Sequence, residues 1–82
     1  MTRKNVYKVI DEERNYQDKL GSDRTIGKSH DVGSYLTMLE TYCRQARDSW
    51  TYNAGDQPAL ISIRKIAAIA VHCMEDHGAI PR

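Results

Sequence analysis

Residues 57–78, QPALISIRKIAAIAVHCMEDHG, constrain this chain more than any other stretch. Leu60, Ile61, Ile63, Ile66, Ala67, Ile69, Ala70, Val71, Cys73 and Met74 recur at helical spacing and run most of the way round the helix axis. A helix that is apolar on nearly every side must be covered on nearly every side. With 82 residues the chain is expected to form a single domain, residues 1–82, and a domain of that size buries only about 60% of the surface its unfolded chain exposes. Two further short helices cannot cover such a third helix by themselves. The expectation is an all-α, three-helix subunit that forms a helical-bundle homo-oligomer through its third helix.

The remaining helices follow from caps and periodicity. Thr2 or Asn5 can cap a first helix over about 3–20, in which Val6, Val9, Ile10, Tyr16 and Leu20 form one stripe with Glu13 and Gln17 near its edge. Gly21 ends it. The acidic run Asp11, Glu12 and Glu13 before Arg14 is either a solvated face or, with Gln17 one turn on and Tyr16 beside it, a face presented to a ligand. Asp31 caps a second helix over about 32–51, where Val32, Tyr35, Leu36, Leu39, Cys43, Ala46 and Trp50 recur at three and four. Glu40, Arg44 and Asp48 stand one turn apart and predict a salt-bridge ladder on the solvent face. Arg47 has no such partner and, together with Arg44, can receive an anion. The TYNAGD turn, broken by Asn53 and Gly55, leads into a third helix over about 57–77, capped by Asp56 or Gln57, with Pro58 in its first turn and Gly78 and Pro81 past its end. On that helix Arg64, Ala68 and His72 share a strip near Lys65 and Asp76, and a histidine so placed is expected to pack rather than to act as a base or ligand.

Charge narrows the range of functions. Twelve Lys and Arg against 11 Asp and Glu leave a formal net charge of +1, so no global field draws the chain to a membrane or to nucleic acid, and neither is an expected partner. Any anion site has to be local. Arg64, Lys65 and His72 make the third helix a poor membrane span. The polar start MTRKNVYKVIDEER lacks the apolar run of a signal peptide, so a cytoplasmic location is expected. Cys43 and Cys73 belong to no CxxC or Cys/His cluster and are read as core thiols.

Between the first two helices lies GSDRTIGKSHD, residues 21–31, a connection longer than most helix-to-helix loops and therefore either a plain connector or a site. Arg24, Lys28 and His30 with two glycines suit phosphate. Gly27, Lys28 and Ser29 imitate the end of a Walker A loop, but five residues instead of four separate Gly21 from Gly27, and a helix precedes them where the motif needs a strand.

Three segments, ERNYQDKLG at 13–21, VGSYLTMLE at 32–40 and KIAAIAVHCMEDHGAIPR at 65–82, resemble in order and spacing small proteins encoded by bacteriophages and prophages. Those in turn are similar to the MazG-like all-α nucleotide pyrophosphohydrolases. The resemblance implies hydrolysis of nucleoside triphosphates with Mg²⁺ held by carboxylates in an EExxE and ExxD pattern, since several carboxylates must converge for the metal to neutralise phosphate and activate water. This sequence departs from the pattern. On the second helix Glu40 alone stands where a first ligand fits, Cys43 and Arg44 occupy the next turn, and the third helix carries its acids, Glu75 and Asp76, at its far end.

Keeping arginines while losing carboxylates changes the expected chemistry, because an Arg fork holds phosphate without a metal. Tyr16, Tyr35, Trp50 or Tyr52 can stack a base. The leading expectation is a phage-type, non-enzymatic nucleotide-binding oligomer in an infected or lysogenic bacterium, a sponge for a cyclic-nucleotide or ADP-ribose-type immune signal, using Glu13, Tyr16, Gln17, Lys28, Arg44, Arg47 and Arg64 with no cofactor and no catalytic residue. The first alternative is a divergent pyrophosphohydrolase, in which Glu13, Glu40 and Glu75 gather around Mg²⁺. The second is an inhibitor module that docks on a host protein through surplus apolar surface.

Overall fold

The computed structural model describes residues 1–21, 25–52 and 55–82; the expectations for Arg24 and Asn53 lie outside the described residues. The chain is all-α, as its periodicity predicts. Helix α1 spans Arg3–Leu20, a single 3₁₀ turn spans Thr25–Gly27, α2 spans Val32–Tyr52 and α3 spans Asp56–His77. Each helix boundary lies within a residue of its expected place because the local end signals are strong. The Thr2 hydroxyl accepts from the Asn5 N–H at 3.2 Å and makes Thr2 the cap of α1. Asp31 caps α2 by accepting from the Ser34 N–H at 2.7 Å, and this bond holds its carboxyl below the usual carboxylate range. At α3 the expected cap is corrected. Gly55 takes the cap position without a side-chain bond, and Asp56 lies in the first turn, where its carboxylate accepts from the Trp50 indole at 3.0 Å.

Helices α2 and α3 form an antiparallel hairpin: Tyr35 meets Asp76, the Lys65 ammonium lies 5.0 Å from the Tyr42 ring centre, and Trp50 meets Asp56. Helix α1 packs on the other flank of α3 and shares little with α2. Among the described residues α3 is therefore the middle of an open three-helix layer and not one wall of a closed bundle. The fully covered apolar core is small, consisting of Tyr35, Ala68 and Ile69. Much of the apolar girdle of α3 faces out, with Leu60 at 55%, Ile61 at 52% and Ile63 at 52% exposure.

Helix α1 turns a different face inward from the one its apolar stripe suggests. Glu13, Arg14 and Gln17 are buried, whereas Tyr16 and Val6 are exposed. The reason is a polar seam with α3. Arg64 Nε donates to Glu13 Oε1 at 2.8 Å, Arg14 Nε donates to Glu75 Oε1 at 2.8 Å while its Nη1 reaches Asp18 Oδ1 at 2.6 Å, and Gln17 Nε2 donates to the Lys65 carbonyl at 3.3 Å. Burying these groups is tolerable because both charges and the Gln17 Nε2 are paired, although the Gln17 Oε1 is left without a partner among the described residues. On α2, by contrast, no ion pair links Glu40, Arg44 and Asp48, so the expected ladder does not form. Cys43 is exposed and Cys73 half-buried, which corrects the reading of Cys43 as a core thiol.

The 3₁₀ turn leans on the C-terminal end of α1 at Gly27. A Cβ there would lie 2.3 Å from the Gly21 carbonyl oxygen and 3.0 Å from that of Gln17, both backbone atoms that cannot swing away. Gly27→Ala is thus expected to cost about 1 to 3 kcal/mol, as overpacking does, and to lower the thermal midpoint. An unchanged midpoint would mean that the turn is free to move off α1.

Candidate functional site

The seven residues singled out by sequence do not converge on one place. Gln17 is fully buried and its amide points into the α1–α3 seam, so it cannot meet a ligand in this fold. Its Oε1 has no hydrogen-bond partner among the described residues. Glu13, Tyr16 and Arg64 do come together, lining with Glu12 and Val9 a shallow cleft of about 210 Å³. The Glu13–Arg64 pair cancels the guanidinium charge there, and Glu12 adds a further negative charge. This cleft repels a phosphate.

Lys28 is exposed just after the 3₁₀ turn, on the approach to the start of α2. Arg44 and Arg47 lie in the second half of α2, and the helical rise puts Arg47 about 24 Å along from Asp31. Lys28 and Arg47 of one chain cannot hold the same phosphate group.

Arg47 stands in a larger, open groove. A groove of about 420 Å³ between α2 and α3 is lined by Cys43, Ala46, Arg47, Trp50, Ala59, Ile63 and Ile66. The i, i+3, i+4 spacing of Cys43, Ala46, Arg47 and Trp50 brings them onto one face of α2, and Ala59, Ile63 and Ile66 do the same from α3. Arg47 has no carboxylate partner among the described residues. Trp50 is 54% exposed, and its indole is oriented by the Nε1 bond to Asp56. An unpaired guanidinium beside an indole in an apolar groove is suited to a ligand with one anionic end and one flat apolar end. Arg44 is exposed and lies outside the lining.

A second cluster escaped the sequence reading. Tyr35 is fully buried and donates to Asp76 Oδ2 at 2.6 Å. Three imidazoles stand edge-on to its ring, His30 and His72 at 5.4 Å and His77 at 6.0 Å between centroids. His77 Nε2 donates to the His30 carbonyl at 2.7 Å, which places the proton on that nitrogen. His72 is buried with Nε2 3.5 Å from Asp76 Oδ2; it packs inside, but its Nδ1 has no hydrogen-bond partner among the described residues, so it is not the fully satisfied histidine expected. Burial, reinforced by the bond to Asp76, pushes the Tyr35 phenol up to about 12, and the same bond holds the Asp76 carboxyl below its usual value. The signal was available: an antiparallel pairing of α2 with α3 brings the start of α2, with Tyr35, to the end of α3, where His72, Asp76 and His77 lie. The phenol is protonated and bonded to Asp76, and the cluster joins the hairpin ends.

Two of the three carboxylates of the pyrophosphohydrolase alternative are otherwise engaged, and the third, Glu40, makes no ion pair among the described residues. Glu13 is bonded to Arg64 and Glu75 to Arg14, and no group of three His, Cys, Asp or Glu is placed to hold a metal among the described residues. Within one chain the residues do not fit a magnesium cage. No described helix is long and apolar enough to cross a membrane. Compared with known proteins, the chain matches no family model, and no curated protein or solved structure is significantly similar to it.

Proposed function

We propose that this protein binds a phosphorylated, base-bearing small molecule without turning it over, and that the ligand lies in the α2–α3 groove with its phosphate on Arg47 and its base against Trp50. The observation that carries this reading is the unpaired Arg47 beside Trp50 in an apolar groove of about 420 Å³, a volume within the range of small-molecule sites. Sequestration of a cyclic-nucleotide or ADP-ribose-type signal is the form such binding takes in the phage-type sponge that the resemblance suggests. Of the residues picked out by sequence, Arg47 is retained, Arg44 becomes a peripheral charge, and Gln17, Glu13 and Arg64 are given structural work.

The test is retention. The purified chain is incubated with nucleoside triphosphates, cyclic dinucleotides and cyclic ADP-ribose isomers, with and without Mg²⁺, and the free and heat-released fractions are separated by chromatography. A compound that leaves solution and returns intact on heating supports the proposal. Arg47→Ala is then expected to weaken retention by about 10- to 150-fold, corresponding to the loss of a charge-assisted bond of about 1.5 to 3 kcal/mol, while Arg44→Ala has a smaller effect. Equal effects of the two substitutions would move the site out of the groove. A magnesium-dependent product would favour hydrolysis.

A second reading has its own observation. Leu60, Ile61 and Ile63 are half-exposed side by side on α3, as expected of a module that docks on another protein. In that case every small molecule stays free, and Arg47→Ala changes nothing.

A further inference from the structure

We propose that the apolar groove between α1 and α3 is covered by the same groove of a second copy of this chain, in a two-fold symmetric dimer. The groove has a volume of about 420 Å³ and is lined chiefly by Val6, Val9 and Ile10 from α1 and by Leu60, Ile61 and Ala67 from α3. Val6, Leu60 and Ile61 are 40%, 55% and 52% exposed. This proposal does not depend on the ligand reading, which concerns the α2–α3 groove, although Ile63 lines both grooves.

Surface area argues for an occupant of substantial size. The chain exposes 6283 Å², whereas a folded monomer of 9.4 kDa exposes about 5,000 Å². The excess is larger than the roughly 800 Å² that each partner contributes to a standard interface. It arises because the helices form an open layer in which the middle helix lacks the neighbour a closed bundle would provide.

Charge favours a second copy as the occupant. A two-fold interface pairs the same patch with itself, residue i of one copy facing residue j of the other, so any net charge on the patch is met by an equal one. In the α1–α3 groove the one charged side chain, Arg64, is already bonded to Glu13 at 2.8 Å, the remaining charge, the Met1 ammonium, belongs to a residue that is 93% exposed, and the net charge of +1 opposes pairing only weakly. The α2–α3 groove is less suited, because it would set an unpaired Arg47 on each side of the interface. In the dimer Leu60 and Ile61 of each copy enter the other's groove, where the small Ala67 leaves room.

Light scattering after size exclusion on the full chain, at concentrations from a few to several hundred micromolar, tests the proposal. The expected mass is about twice 9.4 kDa. Ile61→Glu and Leu60→Glu should each halve it while the far-ultraviolet helical signal is kept, because both side chains are half in solvent. Leu36→Glu, at a 55% exposed position on α2, should leave it unchanged. Wild-type protein that stays at one chain throughout overturns the proposal, as does a dimer broken by Leu36→Glu and untouched by the two groove variants. Should the groove variants unfold, hydrogen exchange of the wild type at low and high concentration decides instead. Slower exchange at 6–10 and 60–67 on concentration supports this interface; slowing confined to 43–50 overturns it.

Discussion

Tyr35→Ala is expected to destabilise the fold by about 3 to 5 kcal/mol, the usual cost of deleting a buried aromatic ring. The stability of a domain of this length is on the order of 4 to 12 kcal/mol, so the variant loses a large share of it and, at the low end of that range, is partly unfolded at ambient temperature. The loss is large because Tyr35 is one of three fully covered apolar residues among those described, and its ring packs against the His30, His72 and His77 imidazoles. Urea denaturation followed by helical circular dichroism measures it, and a loss below about 1 kcal/mol would show that α2 and α3 are held together elsewhere.

Tyr35→Phe separates the ring from the hydroxyl and carries a pH signature. The folded state raises the phenol from 10.0 to about 12, so it binds that proton more tightly than the unfolded state does. Stability from this group is complete below pH 10 and is lost as pH rises from 10 through 12. Asp76 has the opposite sign. Its folded value lies below 3.8, so its contribution is complete above that pH and fades as the carboxylate is protonated below it. The phenylalanine variant should flatten both limbs of the stability profile relative to wild type, since it removes the titrating phenol and the bond that favours the Asp76 anion. Parallel profiles of the two proteins at both extremes would contradict this account.

The second large effect is expected at Ile69. Ile69→Ala should cost about 2 to 5 kcal/mol, because the side chain is 1% exposed at the middle of the central helix and its removal leaves a cavity. Ile61 is its internal control, an isoleucine on the same helix that is 52% exposed, and Ile61→Ala should cost the isolated subunit less than about 1 kcal/mol. Urea midpoints of the two variants at low protein concentration measure the contrast. Equal losses would mean that α3 is buried on the groove side as deeply as on the hairpin side.

Helix positions were legible in the sequence because their signals are local. Thr2, Asp31, Gly21 and Gly78 mark ends by interactions within a few residues, and the apolar spacing between them requires helix. The inward face of α1 was not legible. Its apolar stripe points to Val6 and Tyr16, but Glu13, Arg14 and Gln17 are drawn inward by Arg64, Glu75 and the Lys65 carbonyl, partners 48 to 61 residues away, and hydrophobic periodicity does not register such pairings. The candidate site divides in the same way. Arg47 and Trp50 could be placed together from their spacing on one helix, whereas the pairing of Arg64 with Glu13 required the tertiary fold and changed a presumed phosphate ligand into part of a seam.

That seam also bears on the order in which the molecule comes apart. Helices α2 and α3 meet through a fully covered ring, while the polar contacts of α1 with α3 include two ion pairs whose outer members, Arg64 and Glu75, are 44% and 51% exposed. Dissolved salt screens such pairs and leaves the hairpin's aromatic contacts nearly untouched. Ionic strength therefore acts selectively on α1, so in concentrated salt the first opening of the native state is the release of this helix, with the hairpin still folded behind it.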